Sequence, residues 1–209
     1  MPQTAAPCHD KLPIRGTAPI LSFDAIACVR GDNLLWRGLS GEVAAGGALR
    51  ISGPNGSGKS SLLRVLAGLL PAAHGHVTRG CAIGLADERP ALDPALTLTR
   101  ALSFWAQVGG KGAGDVAHAL DAMALVPLAQ VPVAYLSTGQ RRRAGLARLL
   151  IEDAPLWLLD EPTNGLDAAS IARLESVIAT HRAAGGAVII ATHLPIALDG
   201  AQLIALGGA

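Results

Sequence analysis

A chain of 209 residues with 50% hydrophobic and 16% charged residues can bury one substantial core, and it is too apolar to be a disordered protein. Its net charge of +1 and its 3% aromatic content argue against a nucleic-acid surface, and no stretch reaches the roughly 20 apolar residues that cross a bilayer. Cys8, Cys28 and Cys81 are odd in number and scattered, and they read as free thiols of a reducing compartment.

Residues 1–19 contain Pro2, Pro7, Pro13 and Pro19 without the continuous apolar core of a signal peptide, and they read as a poorly ordered extension. From 20 to 40 the pattern is short strands around the turn Arg30-Gly31-Asp32-Asn33. A second turn at Gly46-Gly47 leads into an apolar strand, Ala48-Leu49-Arg50-Ile51. The chain then reads Gly53-Pro54-Asn55-Gly56-Ser57-Gly58-Lys59-Ser60-Ser61, which matches the phosphate-binding pattern G-x-x-x-x-G-K-[ST]. Glycines at 53, 56 and 58 let the backbone curl and turn its N–H groups toward phosphate oxygens. Lys59 is expected to reach the β- and γ-phosphates, and Ser60 to offer its hydroxyl to Mg²⁺. Leu62, Leu66, Leu69 and Leu70 follow at helical spacing up to Pro71, so strand, loop and helix N-terminus stand in the order an anion site needs.

Residues 75–80 read as a hairpin-type return, and the flanking His74 and His76 lack the third ligand that would make a metal site. A short strand is expected over 81–85, then the polar loop Asp87-Glu88-Arg89-Pro90. A helix over 94–108 with Leu98, Leu102 and Trp105 on one face is separated by a glycine cluster, 109–114, from a second over 115–123. Residues 94–135 thus form a compact all-helical insertion.

Leu136-Ser137-Thr138-Gly139-Gln140 precedes three arginines and an apolar helical run through Leu146, Leu149 and Leu150. Ser137 sits where an N-cap belongs. Alone, this segment is equally a well-capped helix with a basic exposed face. Leu156-Trp157-Leu158-Leu159 is a continuous apolar run suited to a strand covered on both faces, and it ends in Asp160 and Glu161. Asp160 fits a Mg²⁺ ligand, and Glu161 fits the carboxylate that orients and deprotonates an attacking water. Asn164-Gly165-Leu166-Asp167 opens a helix with Ile171, Leu174 and Ile178, Asp167 being its N-cap and Gly185-Gly186 its stop. A second buried strand, 187–192, delivers His193 toward the same sheet edge, where a γ-phosphate contact is expected, and a short strand over 202–206 closes the chain.

Together these segments resemble the nucleotide-binding domain of ATP-binding-cassette (ABC) transporters from Leu21 onward. Residues 136–140 are similar to that family's signature Leu-Ser-Gly-Gly-Gln, with Thr138 in place of the first glycine. The resemblance implies a P-loop NTPase of the ABC type over 20–209, with a mixed β sheet flanked by helices, a small helical subdomain at about 94–135 and an antiparallel β subdomain. It implies ATP and Mg²⁺ as ligands, hydrolysis carried by Glu161, His193 and Lys59, and a head-to-tail homodimer. In that dimer Ser137 and Gly139 act on the partner's nucleotide and Asp167 lies in the loop linking the two sites. Arg30 stands where the family has an adenine-stacking aromatic, and Glu88 where it has the metal-linking glutamine.

The phrases at 53–70, 137–150 and 197–206 look like the ATPase subunit of the bacterial haem exporter of cytochrome c maturation. That likeness implies integral membrane permease subunits docking at about 88–114. It places the chain peripherally on the cytoplasmic face of the inner membrane, touching it only through partners. The residues themselves carry no C-x-x-C-H haem motif. Export of another substrate, a soluble ABC-type ATPase acting on nucleic acid or ribosomes, and a non-hydrolysing nucleotide-gated scaffold remain alternative readings.

Overall fold

Three runs of branched apolar residues organise the molecule: β3 (Ala48–Ser52), β6 (Leu156–Asp160) and β7 (Ala187–Ala191). Every residue of β6 and β7 is buried, as a parallel strand covered on both faces requires. The computed structural model describes residues 19–207. The extension read over 1–19 lies outside the described residues except for Pro19, the first residue of β1 (Pro19–Arg30).

The five-stranded sheet runs β5-β6-β7-β3-β8, with β5 at Ile83–Ala86 and β8 at Gln202–Ala205, and all four of its pairings are parallel. Its alternation separates two cores. Leu156, Leu158, Ile189 and Ala191 pack with α1 (Lys59–Ala67) and a second sheet, whereas Trp157, Leu159, Val188 and Ile190 face the other helices. Those are α2 (Leu98–Val108), α3 (Ala113–Ala122), α4 (Thr138–Glu152) and α5 (Ala168–Ala183). The second sheet is antiparallel, in the order β2-β1-β4, with β2 at Asn33–Ala44 and β4 at His74–Arg79. Parallel and antiparallel pairings are therefore both present, held in separate sheets.

Four local expectations are corrected. The strands either side of the Gly31-Asp32 turn are twelve residues each rather than short, because register shifts along β1–β2 let a twisted ribbon continue over the core. Residues 74–79 are a strand rather than a return, pairing with β1 from Leu21↔Arg79 to Ala27↔His74. Most of that strand is exposed, so no apolar alternation announces it. His74 Nδ1 lies 3.2 Å from the Ala25 carbonyl. α2 begins at Leu98 and not at Pro94: Thr97 caps it by accepting from the Arg100 N–H at 3.4 Å. α3 begins two residues before Asp115, whose carboxylate accepts the Gly112 N–H at 2.8 Å and so belongs to the first turn.

The parallel strands end level with one another. Asp160 pairs with Ala191 and Ile51 with Ala191, so Gly53, Glu161 and Thr192 all leave from one sheet edge. That edge is where ligands collect in parallel α/β sheets.

Candidate active site

The loop between β3 and α1 is built around left-handed glycines, of which Gly58 (φ 92°, ψ 17°) is the N-cap of α1 and offers no capping side chain. The Lys59 side chain is drawn back over the loop and buried. Its Nζ donates to the carbonyls of Gly53 at 2.9 Å and Pro54 at 3.3 Å, and it pairs with Glu161 Oε1 at 3.3 Å. Pro54, Asn55 and Gly56 form the exposed rim, and Ser57 and Ser61 are half-buried.

Glu161 follows β6 in a left-handed conformation (φ 45°), an unusual backbone for a residue with a Cβ and one that turns its carboxylate across the sheet edge. Its Oε1 also contacts His193 Nδ1 at 3.0 Å, so the lysine and the histidine meet on one oxygen. Oε2 is buried with no partner. Burial alone would push this carboxyl up. Hydrogen bonds from His193, Lys59 and Thr192, with the field of His193, hold it below its ordinary value.

Asp160, the last residue of β6, is 5% exposed, and its Oδ1 is likewise buried and unpartnered. Its carboxyl is raised, first by burial and then by the nearby charges of Glu161, Asp87 and Glu88, against a lowering hydrogen bond from Ser60. A hydroxyl beside a buried carboxylate with an open oxygen, under repulsion from further acids, is an oxygen-donor set that a small divalent cation fits.

The signature segment makes its own local bonds. Ser137 caps α4 through a capping box, its Oγ accepting the Gln140 N–H at 3.2 Å and its own N–H donating to Gln140 Oε1 at 2.8 Å. A Cβ at Gly139 would stand 2.6 Å from the Gly165 carbonyl, so glycine lets the signature pack on the segment leading to Asp167. Asp167 caps α5, accepting the Ser170 N–H at 2.8 Å, and this bond holds its carboxyl low. Among the described residues, no hydrogen bond or ion pair joins Ser137 or Gly139 to residues 53–61 of the same chain.

Arg30 closes β1 opposite Asn33 and is exposed; Glu88 is exposed in the loop after β5. Three further residues around the site have no signal in the local sequence. Asp87 is half-buried, 3.8 Å from Arg64, and its backbone carbonyl accepts from Arg142 Nη1 at 2.9 Å. The same Nη1 lies 3.4 Å from the Asp160 carbonyl, so Arg142 ties the loop after β5 to the end of β6. The arginine run is therefore no solvated face, and Arg143 likewise donates to the carbonyls of Met123 and Ala124. Trp36 donates from Nε1 to the Gly58 carbonyl at 3.3 Å. Each contact joins segments far apart in the chain, which no local pattern encodes.

Residues 36–164 match the sequence profile of the ABC transporter family. The cytochrome c biogenesis ATP-binding export protein CcmA of Sphingopyxis alaskensis is 52% identical over 188 residues, spanning 90% of this chain and 97% of that protein. The chain belongs to the CcmA family of ABC transporter ATP-binding proteins. A second CcmA, from Rhodospirillum rubrum, is 50% identical over 199 residues, 90% of this chain and 85% of its own length.

Among solved structures, an ABC transporter in an inward-facing conformation superposes with a TM-score of 0.73 at 25% identity, over 85% of this chain and 74% of that one. A dimeric ATP-binding cassette bound to ADP and Pi shares the fold with a TM-score of 0.73 at 21% identity, over 83% and 88%. As a member of the CcmA family, the chain is an ATP-binding and ATP-hydrolysing transporter subunit. Among the described residues, no helix is long and apolar enough to cross a membrane.

Proposed function

We propose that this chain is the motor of an exporter that serves cytochrome c biogenesis, with haem as its cargo. The observation that carries the motor reading is the meeting of Lys59 and His193 on one oxygen of Glu161, beside a buried Asp160 with an open oxygen. The names of the relatives at about half identity support the cytochrome c pathway.

The residues perform the reaction as follows. Lys59 exchanges the Gly53 and Pro54 carbonyls and Glu161 for the β- and γ-phosphates of ATP. Glu161 then loses a hydrogen-bonding cation, and the balance that held its carboxyl low tips toward burial, so its basicity rises where a base is needed. It orients a water and takes its proton as the water oxygen bonds to the γ-phosphorus and the bond to the β-phosphate oxygen breaks. His193 keeps the glutamate turned toward that water and is the expected contact of the γ-phosphate. Ser60 and Asp160 would hold Mg²⁺, with Glu88 or Asp87 beside them, and the ion would supply charge neutralisation on the β- and γ-oxygens.

Arg30 supplies a planar cation for the adenine face. Ser137 and Gly139, which make no hydrogen bond to their own phosphate loop, serve the nucleotide of a second copy, and Asp167 lies at the junction of the two sites. Residues 20–209 act as one ATPase domain whose helical part, about 94–135, meets integral membrane subunits on the cytoplasmic face of the inner membrane through residues 88–114. Near-neutral charge supports protein partners over nucleic acid.

The test is genetic. Replacing the gene with Lys59→Ala should abolish covalent haem on periplasmic c-type cytochromes. Normal cytochrome maturation in that strain, with no second copy of the system, removes the haem assignment.

A further inference from the structure

The indole of Trp36 leaves the antiparallel sheet to reach the phosphate loop. In the β1–β2 ladder Cys28 pairs with Trp36 and Val29 with Leu34, so Leu35 is an extra residue in β2. A bulge of this kind can set two successive side chains on one side. Leu35 Cδ1 and Trp36 Cδ1 lie 3.2 and 3.0 Å from where a Cβ on Gly58 would stand, and Trp36 Nε1 lies 2.7 Å from it. Only glycine fits beneath the ring.

Trp36 is 7% exposed, and its single donor is spent on the Gly58 carbonyl at 3.3 Å. That carbonyl also accepts the first helical bond of α1, from the Leu62 N–H at 2.9 Å. Two donors thus fix one peptide plane. Because the peptide is planar and trans, holding the Gly58 oxygen also fixes the direction of the Lys59 N–H on the opposite side of that plane. This amide opens α1, at a terminus with no side-chain cap to orient it.

We infer that Trp36 is a positioning residue of the ATP site: its indole N–H aims the Gly58–Lys59 peptide so that the loop meets the phosphates already ordered. The inference rests on the reading of residues 53–61 as the ATP site. It also makes the antiparallel sheet, whose hairpin carries Arg30, part of the apparatus that sets phosphate affinity. Preorganisation acts on binding, so its loss raises the dissociation constant more than it slows a saturated site.

The experiment separates the N–H from the bulk of the ring. Trp36 is replaced by β-(3-benzothienyl)alanine, which keeps the bicyclic shape without the donor, and in parallel by phenylalanine. ATP with Mg²⁺ is titrated into the full chain by calorimetry, and steady-state hydrolysis and the melting of the nucleotide-free protein are followed beside it. The expected result is a Kd for ATP raised about three- to tenfold, the worth of one neutral hydrogen bond. KM should rise with it, while kcat stays within about twofold and the benzothienyl protein melts as wild type does. An unchanged Kd in a benzothienyl protein whose wild type binds ATP overturns the role of Trp36 alone. A wild-type chain that binds no ATP overturns the nucleotide reading and this inference with it.

Discussion

Lys59 and Glu161 face one another across the sheet edge, Nζ to Oε1 at 3.3 Å, with side chains only 6% and 13% exposed. A pair this sheltered is less screened than a surface ion pair, and it occupies the two groups to which the proposed function gives other work. In the proposed reaction, the nucleotide-free chain holds its phosphate-binding lysine and its base against each other until phosphate takes the lysine.

The pair has a pH signature. Glu161 titrates below its ordinary value of 4.5 in the fold, so the stability it contributes is present above that value and is lost as pH falls through the lower, folded value. Melting curves of Glu161→Gln should therefore show a shallower decline on the acid side than wild type, with the divergence confined to pH below about 4.5. Parallel acid limbs in the two proteins would contradict this arrangement.

Asp160 has the opposite sign. Burial and the acids around it raise its carboxyl, so carrying the charge at neutral pH opposes folding of the nucleotide-free chain. Asp160→Asn should raise the melting temperature without nucleotide and lower ATP turnover by more than about 10², the sign of a residue kept for function at a cost in stability. Calorimetric melting and phosphate release measure the two effects.

Ser137 caps α4, and that structural part can be separated from the catalytic part proposed for it. Ser137→Ala removes the cap of α4 and should cost about 1 kcal/mol of stability. Ser137→Asp restores a cap but, in the proposed dimer, sets a carboxylate toward the partner's phosphates. The expected outcome is a melting point recovered in the aspartate variant and ATP turnover lost in both, with ATP affinity of the isolated chain unchanged.

His181 lies away from the nucleotide and governs a different pH range. Its ring stacks on Trp157 at 3.8 Å and 7°, and burial lowers its pKa from the ordinary 6.5. A histidine kept neutral in the fold contributes stability above 6.5 that is lost as pH falls below it, because the unfolded chain then binds the proton more readily. Melting temperature should fall between pH 8 and 5.5, and His181→Phe should flatten that fall. A Cβ at Gly186 would stand 2.2 Å from the ring, so Gly186→Ala should destabilise by about 1–3 kcal/mol.

The segments legible in the chain were those whose pattern is local. The glycine loop, the buried runs ending at Asp160 and Ala191, and the caps Ser137 and Asp167 each announce themselves within a few residues, and the structure places them as expected. β4 carries no such local signal, because His74–Arg79 is held by its backbone ladder to β1, with most side chains in solvent. The start of α2 is not legible in the chain, because Pro94 is as good an opening residue as Thr97 and only the cap bond decides between them. Trp36, Asp87 and Arg142 were invisible for another reason: their contacts with Gly58 and with the end of β6 span 18 to 55 residues or depend on such a contact.

In the proposed reaction Glu161 is the base and not the binder, and one variant tests it. Glu161→Gln should bind ATP at least as tightly as wild type in an equilibrium titration, since the competing partner of Lys59 has lost its charge. Its steady-state release of phosphate should fall about 10²- to 10⁴-fold. Hydrolysis within threefold of wild type, at equal ATP occupancy, would contradict the account.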